Sequence, residues 1–593
     1  MFIYLKDKPQ CYLIIVLLIF AGCKSSGSGS DEEKKLQLPT ITVATNSYSF
    51  PEGEAITAIT PVLSANVVSV SISPDINTNL GLSFNSTTGV ISGTPNVGQA
   101  STNYILTALT ALGASSSVVI SFTSISYCNG AIVVGDFQAG DGTGPTPYEI
   151  CNLDQLNHFV SYCDANALDD CLGLNFILGA DIDLTAETFN PLDAFRGTFN
   201  GHNKTISNWT YNAADSADNA ATIQANPAHV DYYLGFFRTL GDGALVKNLN
   251  LSAAAIKGRY YTGGLVGRMA ASSALENSHV TTNGTDINGI SGIIIGFNDI
   301  PTAGGATGRT AGVVAEIALG ATVTGVSFAG MVRGAMHVGG VVGNCEGVVT
   351  ESHSSGTMKG RDGNSGGFAG NISGVGSIIS KSYTTSTVID VLGNSGGFIG
   401  SVNAGALVTQ SYSHGSINGG GYGIGGFVGY VIGAGAKITR SYSDGSVVGG
   451  SWVGGFVGWM KDGGVIEDSY SLSTVSSTTW AGGFAGVLSY PNNSAATLIR
   501  VYAAGSATSA GIYAADLVGY SANGGVVQDS FADENVSAAY GLVNTPNAST
   551  ITNSLSLSTI NMKLSSTYTD ALWNFDTVWK RSDALNNGYP ELQ

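Results

Sequence analysis

Short apolar stretches alternate with glycine-rich turns along most of this 593-residue chain. From Leu234 to about Gly519 no useful stripe of apolar residues recurs at i, i+3 and i+4, and glycine interrupts the sequence every few positions. Both features disfavour helices and favour short β-strands joined by turns. The pattern therefore predicts an all-β fold.

One five-residue phrase returns in this region at a nearly fixed spacing. The steps between its first residues are 29, 48, 28, 27, 30, 29, 29, 28 and 33 residues. A constant period indicates a stack of units, so ten units share one register. The 48-residue step leaves about 20 extra residues around Asn283 to Gly305, either a binding loop or an inert insertion. The clear copies are Gly263–Gly267, Gly366–Gly370, Gly396–Gly400, Gly425–Gly429, Gly454–Gly458 and Gly482–Gly486, and degenerate copies begin at Leu234, Ala311, Gly339 and Ala515.

A second phrase, a serine followed by an aromatic residue, comes at a near-constant offset from the first. If each unit is one coil of a parallel β-helix, equal positions lie about 4.8 Å apart and form ladders. The sequence leaves open whether the serine ladder or the aromatic ladder faces the core. The residue before each serine is charged or polar and is expected to face water. These residues are Glu351, Lys381, Gln410, Arg440, Asp468, Arg500 and Asp529.

The segment before the repeats has a different pattern. Residues 38–126 alternate apolar stretches with turn signals, which is typical of a small β-sandwich. Within it, the stretch from Gly81 to Pro95 resembles the Ig-like or cadherin-like modules of bacterial surface proteins. Clustered acidic residues of the kind that bind calcium in cadherins are missing from this stretch, so calcium ligation does not carry over.

The repeats themselves also resemble a known family. The Gly-Gly-Phe-Val-Gly phrases are similar to the GLUG repeat of bacterial adhesins and of some immunoglobulin-A-cleaving metallopeptidases. The block from Phe195 to Trp209 resembles the start of bacterial right-handed β-helices. The resemblance implies a right-handed parallel β-helix with a role in adhesion or surface binding. The metallopeptidase activity does not transfer, because none of the seven histidines is followed by glutamate, as His-Glu-x-x-His requires.

The N-terminus has the features of a secretory signal. Lys6 and Lys8 precede an apolar run from Tyr12 to Ala21 that is too short to span a membrane as a helix. The run ends in Ile-Phe-Ala-Gly-Cys, which resembles the bacterial lipobox and implies acylation of Cys23. An ordinary signal peptide with a nearby cysteine is the alternative. Because residue 24 is lysine and not aspartate, the resemblance implies the outer membrane as the destination, with surface or periplasmic exposure left open.

Four further cysteines crowd into one segment of this chain, which the signal sequence predicts to be exported. Such crowding favours two disulfides over a zinc site, since no Cys-x-x-Cys spacing occurs. Four cysteines allow three pairings, of which we favour Cys128 with Cys151 and Cys163 with Cys171. Cys345 lies inside a repeat and is expected to be a small buried residue.

The final segment breaks the repeat and is rich in aromatic residues. The open end of a β-stack exposes unpaired strand edges, so Trp573 and Trp579 are interpreted as parts of a cap. The chain is thus divided into a signal peptide (1–22), a tether (23–37), a sandwich (38–126), the disulfide-containing start and N-terminal cap of the β-helix (127–230), the repeats (231–560) and a C-terminal cap (561–593).

Charge and motifs narrow the function classes. The formal net charge of −18 opposes binding to nucleic acid. Gly-x-Ser-x-Gly occurs twice, around Ser365 and Ser395, but in repeat register with no helix after it, unlike a hydrolase nucleophile. Asp444, Asp468 and Asp529 fall in different columns or distant units, so no catalytic carboxylate cluster is indicated. No cofactor or metal is expected.

Two aromatic pairs are the best binding candidates. Trp452 and Trp480 share one offset in adjacent units, and Tyr430 and Trp459 share another. Such pairs could stack on sugar rings, or they could simply cover the coils. We expect a lipid-anchored, non-catalytic adhesin or binding scaffold whose partner is a glycan or a host, matrix or cell-surface protein. A polysaccharide lyase or hydrolase and a purely structural envelope lipoprotein are the alternatives.

Overall fold

The computed structural model of the protein describes residues 38–165, 169–213, 232–283, 294–296, 308–390, 392–490, 494–511, 513–522, 524–537, 541–544 and 549–593. The predicted signal peptide, Cys23 and the tether lie outside the described residues, as does most of the 283–305 insertion. No helix among the described residues is long and apolar enough to cross a membrane.

The chain divides into two compact units, the first mostly of Ile56–Gly93 and Ser101–Phe122 and the second mostly of Thr123–Gln593. The first unit is Ig-like. Its alternating strands place Tyr104, Leu106, Ile120 and Phe122 in a shared buried core. The strands are Ile41–Thr42, Ser47–Pro51, Ile56–Ile59, Val62–Leu63, Val67–Ser73, Ser83–Phe84, Ile91–Gly93, Gln99–Thr110 and Ser115–Ile125, with one short helix, Ile76–Leu80.

The second unit is a parallel β-solenoid of about 12 turns, which confirms the predicted β-helix. Each full coil has up to five strands. The first strand ends at the first residue of the glycine phrase, and the second begins at the fourth residue of the phrase. The first strands include Tyr233–Leu234, Tyr261–Gly263, Arg309–Ala311, Met336–Gly339, Gly363–Gly366, Ser395–Gly396, Trp480–Gly482 and Tyr513–Ala515. The second strands are Leu192–Phe195, Phe237–Leu240, Val266–Met269, Val314–Ile317, Val342–Cys345, Ala369–Ile372, Ile399–Asn403, Val428–Ile432, Val457–Lys461, Ala485–Leu488 and Val518–Ser521.

The other three strands complete the coil. The third strands include Tyr148–Ile150, Asn175–Leu178, Thr198–Asn200, Leu245–Lys247, Ala274–Glu276, Thr322–Thr324, Val348–Thr350, Ile378–Ser380, Leu407–Thr409, Lys437–Thr439, Gly525–Gln528 and Ser549–Thr552. The fourth include Ile182–Asp183, Thr205–Ser207, Asn250–Ser252, His279–Thr281, Tyr383–Thr384, Tyr412–Ser413, Tyr442–Ser443, Phe531–Asp533 and Leu555–Leu557, and the fifth include Thr210–Asn212, Ala255–Gly258, Ile294–Gly296, Thr387–Asp390, Thr474–Ser477 and Ala507–Ser509.

Some neighbouring strands run on without a break. Val465–Ser471 and Thr497–Ala503 join the third to the fourth strand, Ser327–Arg333 and His353–Gly360 join the fourth to the fifth, and Ser416–Gly425 and Ser446–Gly454 join the fifth to the first strand of the next coil. Helix Leu153–Ala165 lies at the start of the solenoid. After the last coil come helices Thr559–Met562 and Ser565–Thr569, the 3-10 turn Asn586–Gly588 and the antiparallel pair Trp579–Lys580 and Glu591–Leu592.

The glycine phrase is required by close contact between successive coils. A Cβ on Gly426 would collide with the carbonyl oxygen of Gly455 in the next coil, and a Cβ on Gly425 would lie 2.7 Å from the carbonyl oxygen of Phe456 in that coil. The phenylalanine of the phrase points inward. Neighbouring Phe398, Phe427 and Phe456 are fully buried and stack with ring centroids 4.7 to 4.9 Å apart.

The serine ladder lies inside and links one coil to the next. The Ser382 hydroxyl donates to the carbonyl of Ser380 (2.8 Å) and accepts from the backbone N–H of Ser352 (3.2 Å). The serine column is therefore buried and satisfies backbone groups at a bend. The residue before each serine makes that bend with a left-handed backbone, as in Lys381 (φ 49°) and Arg440 (φ 49°).

The aromatic residues, each directly after a position of the buried serine ladder, lie on the outer face of the solenoid and form a second ladder. The rings of His353, Tyr383, Tyr412, Tyr442, Tyr470 and Tyr502 stack at centroid spacings of 4.8 to 5.0 Å, and neighbouring planes differ by no more than 10°. The C-terminal segment covers the last rings of the aromatic ladder. Trp573 and Trp579 are buried against Tyr502, and the Tyr502 hydroxyl donates to the carbonyl of Pro590 (2.6 Å).

One expectation about the polar column is wrong. Asp468 does not face water: it is buried, accepts hydrogen bonds from Nε and Nη2 of Arg500 (2.7 and 2.9 Å) and lies 3.3 Å from the indole nitrogen of Trp579. Asp468 is buried because the C-terminal segment folds back over this part of the polar column. Glu351, Lys381, Gln410 and Arg440 are exposed, as expected.

The four crowded cysteines form two disulfides, Cys128 with Cys151 and Cys163 with Cys171, the pairing that the sequence analysis favoured. Although Cys128, Glu149 and Cys151 bring three ligand-type atoms together, the two sulfurs are bonded to each other and are not available as thiolates. Cys345 is fully buried, as expected, and burial raises the pKa of its thiol to about 12.

Candidate functional site

Two columns of side chains face each other on the flank of the solenoid around the glycine phrase. One column lies two residues before the first glycine of each phrase, and the other lies five residues after it. Parallel pairing stacks each column from coil to coil. The first column runs Tyr261, Arg309, His337, Asn364, Asn394, Gly423, Trp452, Trp480 and Tyr513; the second runs Arg268, Glu316, Asn344, Asn371, Ser401, Tyr430, Trp459, Val487 and Tyr520. While the phrase repeats, the pair of residues that the two columns contribute differs from each coil to the next, so the chemistry of this flank varies along its length.

Near the C-terminal end of these columns the side chains become aromatic. Trp452 packs edge to face on Trp459 (centroids 4.8 Å apart) and lies 6.2 Å from Trp480, while Tyr430 stacks on Trp459 at 4.8 Å. All four predicted aromatic residues are thus in one cluster. We name this cluster the aromatic flank, and its members are Tyr422, Tyr430, Trp452, Trp459, Trp480, Tyr490, Tyr513 and Tyr520.

Sequence reasoning missed half of this cluster. Tyr513 and Tyr520 continue the two columns, so extending the repeat register by one degenerate unit would have found them. Tyr422 lies one residue outside the column, beside an irregularity in strand pairing, and Tyr490 follows a strand end. No periodic signal marks these two positions.

The exposed rings lie at the two ends of the aromatic flank. Tyr422 is 60% exposed and Tyr513 is 41% exposed, whereas the rings between them are half-buried. The indole nitrogens of Trp459 and Trp480 are buried and have no hydrogen-bond partner among the described residues. The Lys461 ammonium lies 4.8 Å from the Trp459 ring centroid and 3.5 Å from an Asp462 carboxylate oxygen. The flank is therefore largely apolar with a few unsatisfied donors, a surface typical of binding sites.

A groove adjoins the aromatic flank on its N-terminal side. Its volume is about 560 Å³, within the range usual for ligand sites. Aromatic rings form one end, and the remainder is lined by two asparagine amides, one aspartate, two apolar side chains and two glycines. The lining residues are Met336, Asp362, Gly363, Asn364, Leu392, Gly393, Asn394, Tyr422, Trp452 and Trp459.

The polar part of the groove is internally paired. Nε of Arg361 donates to Asp362 (2.7 Å), and Nδ2 of Asn394 donates to Oδ1 of Asn364 (3.3 Å). Beyond the Met336 end, burial together with the smaller effect of the Arg309 charge lowers the pKa of His337 to about 4, so this imidazole is neutral at pH 7. The groove therefore offers amide hydrogen-bonding groups beside apolar rings.

The residues weighed earlier for catalysis are buried or paired with other side chains. Ser365 and Ser395 are fully buried, and the Ser395 hydroxyl donates to the buried Asp390 (2.9 Å). Asp444 is hydrogen-bonded to Nδ1 of His414 (2.6 Å), an interaction that raises the pKa of that imidazole. Asp468 is held by Arg500, and Asp529 accepts from Asn553 (2.8 Å). The structure does not bring these three aspartates together.

Comparisons with known proteins identify the N-terminal domain. Residues 39–125 match the family described as "Putative Ig domain", in agreement with the expected sandwich. The chain is 30% identical over 171 residues to halomucin of Haloquadratum walsbyi, a match that spans 26% of this chain and 2% of halomucin. The family match is confined to the N-terminal domain, so the GLUG resemblance of the repeats stays a prediction.

Two solved structures have low overall similarity. An IgA1 protease matches 76% of this chain and 28% of its own chain at 12% identity with a TM-score of 0.27. A family 28 exopolygalacturonase of Yersinia enterocolitica matches 87% of this chain and 98% of its own at 11% identity with a TM-score of 0.24. At such scores neither match bears on the activity of this chain. An Ig-like domain followed by a β-solenoid fits a surface or binding protein.

Proposed function

We propose that this protein is a non-catalytic binding protein that holds a glycan on its aromatic flank. The observation that carries the proposal is the union of two aromatic columns into one cluster beside a groove of about 560 Å³. Aromatic faces bind the apolar faces of sugar rings, while amides satisfy the hydroxyls. The cluster and the amides lie within reach of a single ligand.

The aromatic flank is better suited to this role than the tyrosine ladder. In the ladder, neighbouring planes differ by 10° or less, so each inner ring covers the face of the next. In the flank, Trp452 and Trp459 differ by 64° and Tyr422 and Trp452 by 50°. Because these rings are not parallel, part of their faces is left for a ligand.

We further propose that acylation of Cys23 anchors the protein in an outer membrane, with the solenoid displayed at the cell surface for adhesion. The tether between residues 23 and 37 is rich in serine, glycine and charged residues, as expected for a solvated spacer. Protease treatment of intact cells tests the orientation: loss of the solenoid from intact cells supports surface display, and protection until the outer membrane is opened would place it in the periplasm.

The binding role is tested with the purified full-length protein on a broad glycan panel and on intact cells. Retention of at least one glycan is expected, with no release of reducing or unsaturated ends during long incubation. Failure to bind any glycan or any cell would contradict the proposal. Release of new chain ends from a polysaccharide would instead make the protein a carbohydrate-active enzyme.

A further inference from the structure

We infer that the ligand of the groove is an uncharged glycan chain that lies along the solenoid axis and crosses five successive coils. This inference rests on the proposed function and specifies its ligand class. It is carried by the placement of the lining residues and by the charges around them.

The direction of the ligand follows from which residues line the groove. Met336, Asn364, Asn394, Tyr422 and Trp452 come from five consecutive coils and lie at or next to the same repeat position. With about 4.8 Å between neighbouring strands, four steps span about 19 Å. A ligand lying across the axis would meet side chains of one or two coils, whereas a chain lying along it would meet all five.

The lack of net charge follows from the same residues. Of the described lining residues, Asp362 alone is acidic and none is basic, and Asp362 is paired with Arg361. On the aromatic flank, Lys461 is paired with Asp462 and lies over the Trp459 ring. His337 is neutral at pH 7 because burial lowers its pKa to about 4. A uronate or sulfated chain would place repeated negative charges beside Arg361 and Lys461, which already pair with Asp362 and Asp462, and desolvating those charges is unfavourable.

The remaining groups suit a neutral sugar. The carboxamides of Asn364 and Asn394 offer both donors and acceptors, as sugar hydroxyls and N-acetyl groups require. Tyr422, Trp452 and Trp459 offer apolar ring surface at the other end of the groove. The groove is therefore amphipathic along its length, with amides over the earlier coils and rings over the later ones.

The test measures binding of the full-length protein to matched oligosaccharides by calorimetry. The neutral panel contains hexasaccharides of β-linked glucose, xylose, mannose and N-acetylglucosamine, and the acidic panel contains hexagalacturonate and hyaluronan fragments. We expect binding from the neutral panel alone, with affinity that rises from di- to hexasaccharide and changes little between low and high salt, since no ion pair with the ligand forms.

Two variants locate the site. Tyr422→Ala removes an exposed ring that lines the groove, and the affinity for the neutral hexasaccharide is expected to fall about tenfold or more. Leu319→Ala removes an apolar side chain of nearly the same exposure (58%) that belongs neither to the groove nor to the aromatic flank, and it is expected to leave affinity unchanged. Both side chains are exposed enough that truncation should leave the fold intact.

Each other outcome has a separate meaning. Tight binding of an acidic glycan that Tyr422→Ala abolishes would overturn the uncharged ligand class and leave the proposed function standing. Equal affinity for the disaccharide and the hexasaccharide would overturn the lengthwise placement. Equal loss in both variants, or loss in neither, would overturn the groove as the site. Binding of no glycan from either panel would overturn the proposed function itself.

Discussion

Trp452 and Trp459 meet edge to face, with ring centroids 4.8 Å apart and planes 64° apart, although one precedes the glycine phrase of its coil and the other follows it. The chain turns between them, so two columns that are separate in sequence become one surface. This contact makes the aromatic flank a single cluster and brings it to the end of the groove.

Replacing Trp452 with glycine should weaken glycan binding without unfolding the coil. Trp452 has a left-handed backbone (φ 57°), and Gly423 occupies the equivalent position one coil earlier with φ 69°. Glycine adopts this conformation without strain, so the variant relieves the backbone while it removes the ring. We expect affinity to fall about tenfold or more and the thermal midpoint to change little. An unchanged affinity in a folded Trp452→Gly protein would show that the flank is only a cover.

Replacing Tyr502 with phenylalanine should destabilise the C-terminal segment. The Tyr502 hydroxyl is buried, donates to the carbonyl of Pro590 (2.6 Å) and accepts from Asn586 (2.8 Å). Loss of the hydroxyl leaves the Pro590 carbonyl and the Asn586 amide each with one hydrogen-bond partner fewer, at a cost of about 1–3 kcal/mol. Urea unfolding followed by tryptophan fluorescence measures the change. Tyr383→Phe, in the uncovered part of the same ladder, is the matched control and should change the free energy of unfolding by less than about 0.5 kcal/mol.

Replacing Asp468 with asparagine should loosen the same segment from the wall. The carboxylate is buried and binds Arg500 through two hydrogen bonds, with the Trp579 indole close by. Asparagine keeps the size and tolerates the left-handed backbone (φ 46°), but it replaces the closest carboxylate with a neutral amide, so that Arg500 keeps its longer contact with Glu467 (3.9 Å), at a cost of about 1.5–3 kcal/mol. Faster proteolytic removal of the C-terminus is the readout. Asp529→Asn, in the same column but less buried, should increase the rate of proteolysis much less. An equal increase in the two variants would contradict the role of the Asp468–Arg500 pair in holding the C-terminal segment.

Adding one methyl group to the glycine phrase should destabilise the stack. In Gly426→Ala the new Cβ meets the carbonyl oxygen of Gly455 on the next coil, and neither backbone can move without breaking coil-to-coil hydrogen bonds. We expect a loss of about 1–3 kcal/mol or failure to fold. Gly144→Ala is the control, because its Cβ would meet open space and its backbone is not left-handed. Similar stabilities of the two variants by thermal unfolding would contradict the close-contact explanation.

Acid should destabilise the solenoid in part through His337. Burial, with a smaller contribution from Arg309, lowers the pKa of this imidazole to about 4, against about 6.5 in the unfolded chain. Between these two pKa values the unfolded chain binds more protons at this histidine than the folded protein does. The contribution of the neutral imidazole to the free energy of unfolding is therefore fully present above pH 6.5 and is lost as the pH falls toward 4. At most it amounts to roughly 3 kcal/mol.

The His337→Asn variant isolates this effect. Asparagine tolerates the left-handed backbone of His337 (φ 46°), and Asn364 occupies the equivalent position in the next coil. The urea midpoint of the variant should fall less steeply between pH 6.5 and 4 than that of the wild-type protein. Parallel curves for the two proteins would contradict the assignment.

Much of the fold could be predicted from the sequence because a parallel stack converts equal sequence offsets into spatial columns. Ser382 and Ser411 are 29 residues apart in the sequence and adjacent in space, and so are Tyr383 and Tyr412. Half of the candidate site could be predicted in the same way, since Trp452, Trp480, Tyr430 and Trp459 share offsets. Tyr422 and Tyr490 could not, because they lie at an irregularity and beyond a strand end, outside the periodic pattern.

The sequence by itself determined the coil period and the alignment of the ladders, because hydrogen-bond register between parallel strands preserves the repeat. Only the tertiary structure decided that the serines face inward, since this depends on a left-handed bend that residues as different as Lys381 and Gln410 adopt. It also decided that Asp468 is covered, because the returning C-terminal segment has no period to follow. The meeting of Trp452 with Trp459 depends likewise on the angle at which the chain turns around the glycine phrase, which spacing along the chain does not specify.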